Sequence, residues 1–281
     1  MIAPLTPESY HTPAANADFM SVSQYKAWIE CAAKQRAVQS GDWMDGDKPA
    51  FALGRYVDMA LLTPDRFAKD MEANPDTYTY HGKPRVWLAD GDAMIERCRK
   101  DAYFMATITG QAQQIITFEL FGVQWRSMLD VINRETMSLV DLKTTQNIDA
   151  ETWSDQHEAR VPFYETFNYW MQFAVYREAV RSIWGEYPRH VKIAAVSKQD
   201  PPDVRVIAFN DALRFKRELN AIQNNLPRIM AMKRGTVPAT RCESCDYCRS
   251  TRVLTADVVA RSVDTEMIKL EEYEEMEAGQ I

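Results

Sequence analysis

No run in the chain approaches the roughly 20 consecutive apolar residues that a bilayer-spanning helix needs. The opening MIAPLTPESYHTPAANADF has neither the basic segment nor the apolar core of a secretory signal. A soluble, cytoplasmic protein is the expectation, with no membrane partner. Histidine is scarce: His11, His81, His157 and His190 fall at no metal-ligand spacing, and each reads as a surface or capping residue. Cysteine is scarce too, and the five residues at 31, 98, 242, 245 and 248 make a poor disulfide framework. Their number is odd and three of them crowd together, which fits metal binding in a reducing compartment better. No internal repeat is present, nor any low-complexity segment beyond an acidic tail.

The chain has 281 residues, 46% of them hydrophobic, enough for one substantial core. A single domain over residues 1–255 with an acidic tail over 256–281 is the expected organisation. The formal charge of -7 argues against nucleic acid only superficially. From Asp264 onward seven acids face Lys269, a net of -6, so residues 1–263 carry only -1. A near-neutral body can still hold a local basic groove, since phosphate contacts depend on where Lys and Arg cluster.

Along the chain, the segment to Asp18 reads as loop. Ser21-Val-Ser23 then caps QYKAWIECAAKQRAV, where Tyr25, Trp28 and Ile29 recur at helical spacing and place Cys31 near the middle of one helix. A Gly, Asp and Pro-rich linker covers about 40–50, and FALGRYVDMALL reads as an apolar helix stopped by Thr63-Pro64. Mainly helix is expected over 65–112, with Cys98 as a small buried hydrophobe. The period then changes to strand over 115–120, 123–132 and 137–145, with a turn at 133–135. A long helix over 163–180, a hairpin built from HVKIAAVSK and VRVIAF, and a helix over 211–232 complete an α/β pattern, a sheet with helices packed on it.

The sharpest local signal is Leu139-Val140-Asp141-Leu142-Lys143-Thr144-Thr145. Residues two apart in a strand face one side, so Asp141 and Lys143 project together. Antiparallel pairing across the turn brings Asp130 within reach of Asp141. Two carboxylates with substrate phosphate oxygens suit Mg²⁺, a hard cation that takes few protein ligands. Such an ion polarises a phosphate and orients a hydroxide, and Lys143 would hold the attacking water or neutralise developing charge. By itself, Asp-x-Lys on a strand is also an ordinary solvated face.

With MLDV, VDLKTT and then Gln172-Phe-Ala-Val-Tyr176 on the next helix, the chain resembles the PD-(D/E)XK nucleases of the RecB and RecE (exonuclease VIII) type. Those proteins place an aspartate, a D-x-K strand and a Q-x-x-x-Y helix in this order. Gln172 and Tyr176 are one turn apart and share a helix face, where an amide and a phenol could bind DNA backbone or orient the site. GRYVDMALLTPDRF is similar to the family's Gly-x-x-x-His helix, with Asp58 in place of the histidine. A carboxylate there can still ligate Mg²⁺ or Mn²⁺, or the position has left the metal site. Glu119 is a weaker candidate ligand. The segment ESYHTPAANADFMSVSQYKAW also looks like the start of phage and bacterial exonuclease VIII-like domains, so the likeness spans most of residues 8–250.

The resemblance implies a restriction-endonuclease-like core and a Mg²⁺- or Mn²⁺-dependent deoxyribonuclease that processes linear DNA ends for recombination or repair. It further implies work beside a single-strand annealing or recombinase protein, assembly as a ring, and a bacterial or phage-infected cytoplasm. Cys242-Glu-Ser-Cys245-Asp-Tyr-Cys248 has a spacing found in ferredoxin cluster loops. By resemblance to RecB-like proteins, in which a cysteine follows an S-x-S-x-x-x-x-W-like helix, Cys31 is the fourth ligand of a [4Fe-4S] staple. Structural Zn²⁺ is the rival occupant. Two other functions stay open: a catalytically silent nuclease-like DNA-binding or scaffold subunit, and a zinc-stabilised interaction module. Lys83, Arg85, Lys198, Arg205, Arg241, Arg249 and Arg252 are candidates to line a DNA groove, and Trp153 and Trp170 are expected to pack.

Overall fold

Phe121 and Gly122 both take positive φ, 53° and 71°, the conformation of a tight two-residue hairpin turn whose twist matches the strands it joins. They connect β1 (Gln111–Leu120) to β2 (Val123–Asn133) in antiparallel register. A second turn leads to β3 (Ser138–Thr145), again antiparallel. The chain then crosses over before β4 (His190–Ser197) pairs with β3 in parallel, and β5 (Val204–Ala208) closes the sheet antiparallel. The sheet order is β1-β2-β3-β4-β5, mixed as expected, with β3 at its centre. These facts come from a computed structural model that describes residues 5–46, 49–155 and 157–254. Two positions of the expected linker and the expected acidic tail lie outside the described residues.

Both sheet faces are covered, because the strands alternate apolar side chains up and down. Leu129, Ile132, Leu139 and Ile193 face one cluster, formed with α1 (Val22–Glu30), whereas Val131, Val140, Leu142 and Val196 face another. Beyond α1 the chain turns into α2 (Ala32–Ser40), which ends on Gly41 at φ 83°. The second face is covered by α3 (Pro49–Leu62) and α4 (Trp87–Arg99), through Leu53, Tyr56, Val57, Met94 and Ile95. Cys98 is buried here, as its helical setting suggests. The crossover helix α5 (Tyr169–Trp184) and the long α6 (Ala212–Arg234) cover the first face. Arg36 of α2 donates to the carbonyl of Met232 at 2.8 Å, docking the N-terminal helices on the end of α6.

Several local expectations are corrected. The opening segment is not loop: Thr6 and Thr12 cap two short helices, Pro7–Tyr10 and Pro13–Asp18, each with proline at its start. The single helix through Cys31 is two helices, since Cys31 itself is extended at φ -157°. The helix over 163–180 is also broken, with Asn168 at φ 53° between Phe163–Thr166 and α5. The 65–112 region includes the hairpin Thr79–Tyr80/Lys83–Pro84, and a further hairpin, Glu151–Ser154 with Ala159–Pro162, was not expected.

Gly110 sets the approach of β1 to β2. A Cβ there would lie 2.6 Å from the carbonyl oxygen of Ile132, a backbone atom that cannot swing away. Gly110→Ala is expected to destabilise the fold by about 1–3 kcal/mol, read as a fall of several degrees in the thermal midpoint. An unchanged midpoint would mean that the strand edge yields freely.

Candidate active site

The antiparallel register of β2 and β3 pairs Val131 with Val140, which sets Asp130 across from Asp141. Here the ladder is replaced by a side chain: the amide of Leu142 donates to Asp130 Oδ2 at 2.9 Å. Lys143 Nζ lies 2.6 Å from Asp141 Oδ2 and 3.7 Å from Asp130 Oδ2. The alternation that puts Val140 and Leu142 into the core thus turns one carboxylate pair and one ammonium toward a common point.

Asp58, on α3, joins the group from the opposite layer. Gly54, one turn before it, lets α3 approach β3 closely: a Cβ at 54 would stand 3.3 Å from Thr144 Oγ1. Asp58 Oδ2 accepts from Gln113 Nε2 at 2.8 Å. Gln113 was missed from sequence. It sits within β1 in the left-handed region, φ 52°, and lies between the register pairs on either side of Asp130. A non-glycine residue held there is strained backbone of the kind that collects at functional sites. Glu119 is not brought in: it is exposed on β1 opposite Gln124, about 20 Å along the strand from Gln113 at 3.4 Å per residue.

From the helical layer, Gln172 Nε2 donates to Asp141 Oδ2 at 3.0 Å, while its Oε1 accepts from Lys26 Nζ at 3.3 Å. Tyr176 lies a turn further on, half-buried. Lys26 and Tyr169 had no distinguishing signal in the sequence, yet both border the site. The Lys143 and Lys26 ammonium groups stand 5.6 and 5.3 Å from the Tyr169 ring centroid, favourable cation–π positions.

The electrostatics suit a bound cation. Burial, reinforced by Asp141, pushes the Asp130 carboxyl well above its usual range. Burial also raises Asp58 to about 6, against the lowering pull of Lys143. Burial would depress the Lys143 ammonium, but Asp141 and Asp130 more than offset it and hold it high. Asp130 and Asp141 therefore share one ammonium in direct contact, with Asp58 near enough to feel its charge, and the donor set is all hard oxygen, as Mg²⁺ or Mn²⁺ prefers.

Asp58 ionises near 3.8 when unfolded and near 6 when folded, so the folded protein holds more protons in that window and loses stability as pH rises through it. A divalent cation offsets this cost. Mn²⁺ is expected to raise the thermal midpoint several degrees more at about pH 7.5 than at about pH 5, and Asp58→Asn should narrow that difference. Equal stabilisation at both values would remove Asp58 from the metal site.

A second constellation forms at the other end of α1. Cys31 ends α1 and caps α2, while Cys245 caps α7 (Asp246–Ser250), which carries Cys248. The four sulfur atoms of Cys31, Cys242, Cys245 and Cys248 all lie within 4.8 Å of one another. Hydrogen bonds, that from the Ser244 hydroxyl foremost, pull the Cys242 thiol down to about 5, a ready thiolate. Burial pushes Cys31 up to about 12, and a bound cation would reverse that.

Other expected residues fall outside both clusters. Trp170 packs on Phe209 and Phe215, but Trp153 does not pack; it is 60% exposed on the 151–162 hairpin. Arg241, Arg249 and Arg252 pair with Glu243 and Asp246 around the cysteine loop, Arg205 pairs with Asp149, and Lys198 with Asp90. These five cations thus each have an acidic partner.

With this geometry in view, comparison with known proteins gives a consistent answer. A crystal structure of a candidate exonuclease from Eubacterium rectale is similar over 92% of this chain and 97% of its own, at 32% identity and a TM-score of 0.83. The structure of SSO0001 covers 81% of this chain and 96% of its own at 13% identity, but its TM-score of 0.32 carries no argument. No curated protein matches. The profile of the PDDEXK-like domain of unknown function (DUF3799) matches residues 21–251, a span that includes the four-cysteine cluster and every member of the carboxylate site. The chain belongs to that PDDEXK-like family.

Proposed function

We propose that the protein is a divalent-metal-dependent deoxyribonuclease acting from the ends of linear duplex DNA. The observation that carries this reading is the contact of Lys143 with both Asp141 and Asp130, with Gln172 fixing Asp141 from α5. Asp130, Asp141 and Asp58 would hold Mg²⁺ or Mn²⁺, which when bound polarises the scissile phosphate and lowers the pKa of water. Lys143 orients the attacking water and offsets charge on the phosphate oxygens as it grows. Gln172 holds the Asp141 carboxylate in one rotamer, so the site is organised before DNA arrives. The similarity to a candidate exonuclease supports attack from an end. Exposure of single strands for an annealing or recombinase partner, assembly as a ring, and a bacterial cytoplasmic or phage setting complete the proposal.

The cysteines would hold a structural metal centre. The family resemblance points to [4Fe-4S], while the sulfur spacings of 3.6 and 3.9 Å match the edge of a ZnS₄ tetrahedron, about 3.8 Å for bonds of about 2.3 Å. Iron, sulfide and zinc analysis of protein purified without oxygen separates the two.

The enzymatic test uses the full chain with linear duplex and covalently closed circular DNA, with Mg²⁺, Mn²⁺ or chelator. Linear DNA should disappear only with metal, and the closed circle should persist. Equal cutting of the circle would refute end-dependence; no cutting with either metal would leave a silent DNA-binding fold.

A further inference from the structure

Of the seven cations that the sequence offered for a DNA groove, five are paired, whereas among the described residues no carboxylate pairs with Lys83 or Arg85. Both belong to the hairpin Thr79–Tyr80/Lys83–Pro84, whose turn residues His81 and Gly82 take φ of 49° and 71°, as a tight two-residue connection requires. No acidic residue lies between Asp76 and Asp90, and Asp90 is already paired with Lys198. A lone two-stranded hairpin is marginal in water, but this one is anchored at its base. Tyr78 is buried against Tyr56 and Trp87, its hydroxyl donates to Asp70, and its carbonyl accepts from Arg85 N–H at 2.9 Å. The tip is open: Tyr80 is 62% exposed, and Lys83 is exposed beside it. The Arg85 guanidinium stands 5.1 Å from the Tyr80 ring centroid, and the His81 ring meets the tyrosine edge-on at 4.2 Å, contacts that narrow the ring's freedom. Arg85 Nε is buried with no hydrogen-bond partner, and its Nη2 reaches the Asp76 carbonyl at 3.5 Å, a weak contact.

We propose that this hairpin binds single-stranded DNA, with Tyr80 stacked on an unpaired base and Lys83 and Arg85 on the flanking phosphates. The inference rests on the nuclease reading above and identifies what grips the strand that end-processing leaves uncut. Cations beside an exposed aromatic ring suit an unpaired strand, whose bases offer their faces and whose phosphates offer charge. A duplex hides those faces and presents phosphates alone, and an acidic peptide would meet the cations but leave the ring uncovered. The hairpin is also connected to the carboxylate site. It leads into α4, where Asp90 pairs with Lys198 at 3.4 Å. Lys198 N–H in turn donates at 2.8 Å to the carbonyl of Thr145, two residues beyond Lys143. A cavity of about 290 Å³, lined by Met94, Lys198, Thr144 and Thr145, opens along that path. By the rise of helix and strand residues the path is at most about 30 Å, within reach of the roughly 4–16 nucleotides that such a surface covers.

The test measures binding by fluorescence anisotropy, with the full chain and with chelator present so that nothing is cut. The probes are labelled oligo(dT), oligo(U) and a blunt duplex of equal length. Tyr80→Ala should weaken oligo(dT) binding by about tenfold, the effect of losing one stacked base, and should keep duplex binding within about twofold of the parent. Tyr80→Phe, which retains the ring, should retain the affinity. Lys83→Gln should weaken oligo(dT) binding and lower its salt slope by about 0.7, the value for one phosphate contact on a single strand. Equal affinity of the Tyr80→Ala and parent proteins for oligo(dT) would overturn the proposal. So would an equal loss on the duplex, which would mark a plain phosphate surface, or tighter binding of oligo(U), which would assign the hairpin to RNA. Competition by polyglutamate as strong as by unlabelled oligo(dT) would mark an unspecific basic surface and overturn it too. Tyr80-dependent binding by a parent protein that cuts no duplex with Mg²⁺ or Mn²⁺ would uphold the hairpin's role while the nuclease reading fell. Metal-dependent cutting without such binding would do the reverse.

Discussion

Lys143→Met is expected to slow metal-dependent DNA cleavage by about 10²- to 10³-fold, the usual cost of removing one donor aimed at developing negative charge. Among the described residues no other ammonium is in ion-pair contact with Asp130 or Asp141. Its loss leaves those two and Asp58 repelling one another at the sheet. A divalent cation relieves that repulsion, so Mn²⁺ affinity should rise as the rate falls. Asp141→Asn separates the effects: it removes a candidate ligand, and both affinity and rate should drop. Calorimetric Mn²⁺ titration beside a single-turnover digest reads the two quantities. A Lys143→Met protein that cuts within a few-fold of the parent would place the chemistry elsewhere.

Cys248→Ser should lower the thermal midpoint by roughly 10–20 °C, with matching loss of bound metal. The cysteines at 31 and 242 are far apart in sequence, and a centre joining them closes a loop of about 200 residues, whose entropy alone is roughly 5 kcal/mol. The closure is already supported by main chain, since Ala33 N–H donates to the Thr240 carbonyl at 2.9 Å. Cys248 is fully buried at the meeting point, 3.6 Å from Cys31 by sulfur distance. Differential scanning calorimetry with metal analysis decides. A midpoint within two or three degrees of the parent, about the effect of 1 kcal/mol, would mean that the cluster holds nothing together.

The hairpin bearing Asp130, Asp141 and Lys143 could be placed from sequence because its signal is local: period-two alternation, a polar turn and an apolar far face. Gln172 and Tyr176 came from the family resemblance, and helix spacing added only that they share a face. What escaped was set by tertiary contacts. QYKAWIECAAKQRAV is composed of adequate helix formers throughout, and nothing in it announces the extended Cys31; packing against the C-terminal loop selects the break. Gln113 adopts a left-handed backbone that glutamine rarely takes, so no propensity could mark it. Arg126 and Ser127 read as ordinary strand residues, and only the assembled fold reveals their buried donors without acceptors. The capped helices at 7–18 were legible after all, from Thr-Pro pairs at their starts.

The central strand of the sheet draws its two neighbours from opposite sides of the synthesis clock. β2 precedes it by a short turn, but β4, its parallel partner over all eight residues, is made only after the whole of α5. Translation at about 5–20 residues per second therefore leaves the acidic hairpin waiting for seconds without Gln172 or its covering strand. A growing chain on the ribosome therefore carries the Asp130, Asp141 and Lys143 hairpin well before the helix and strand that fix its side chains.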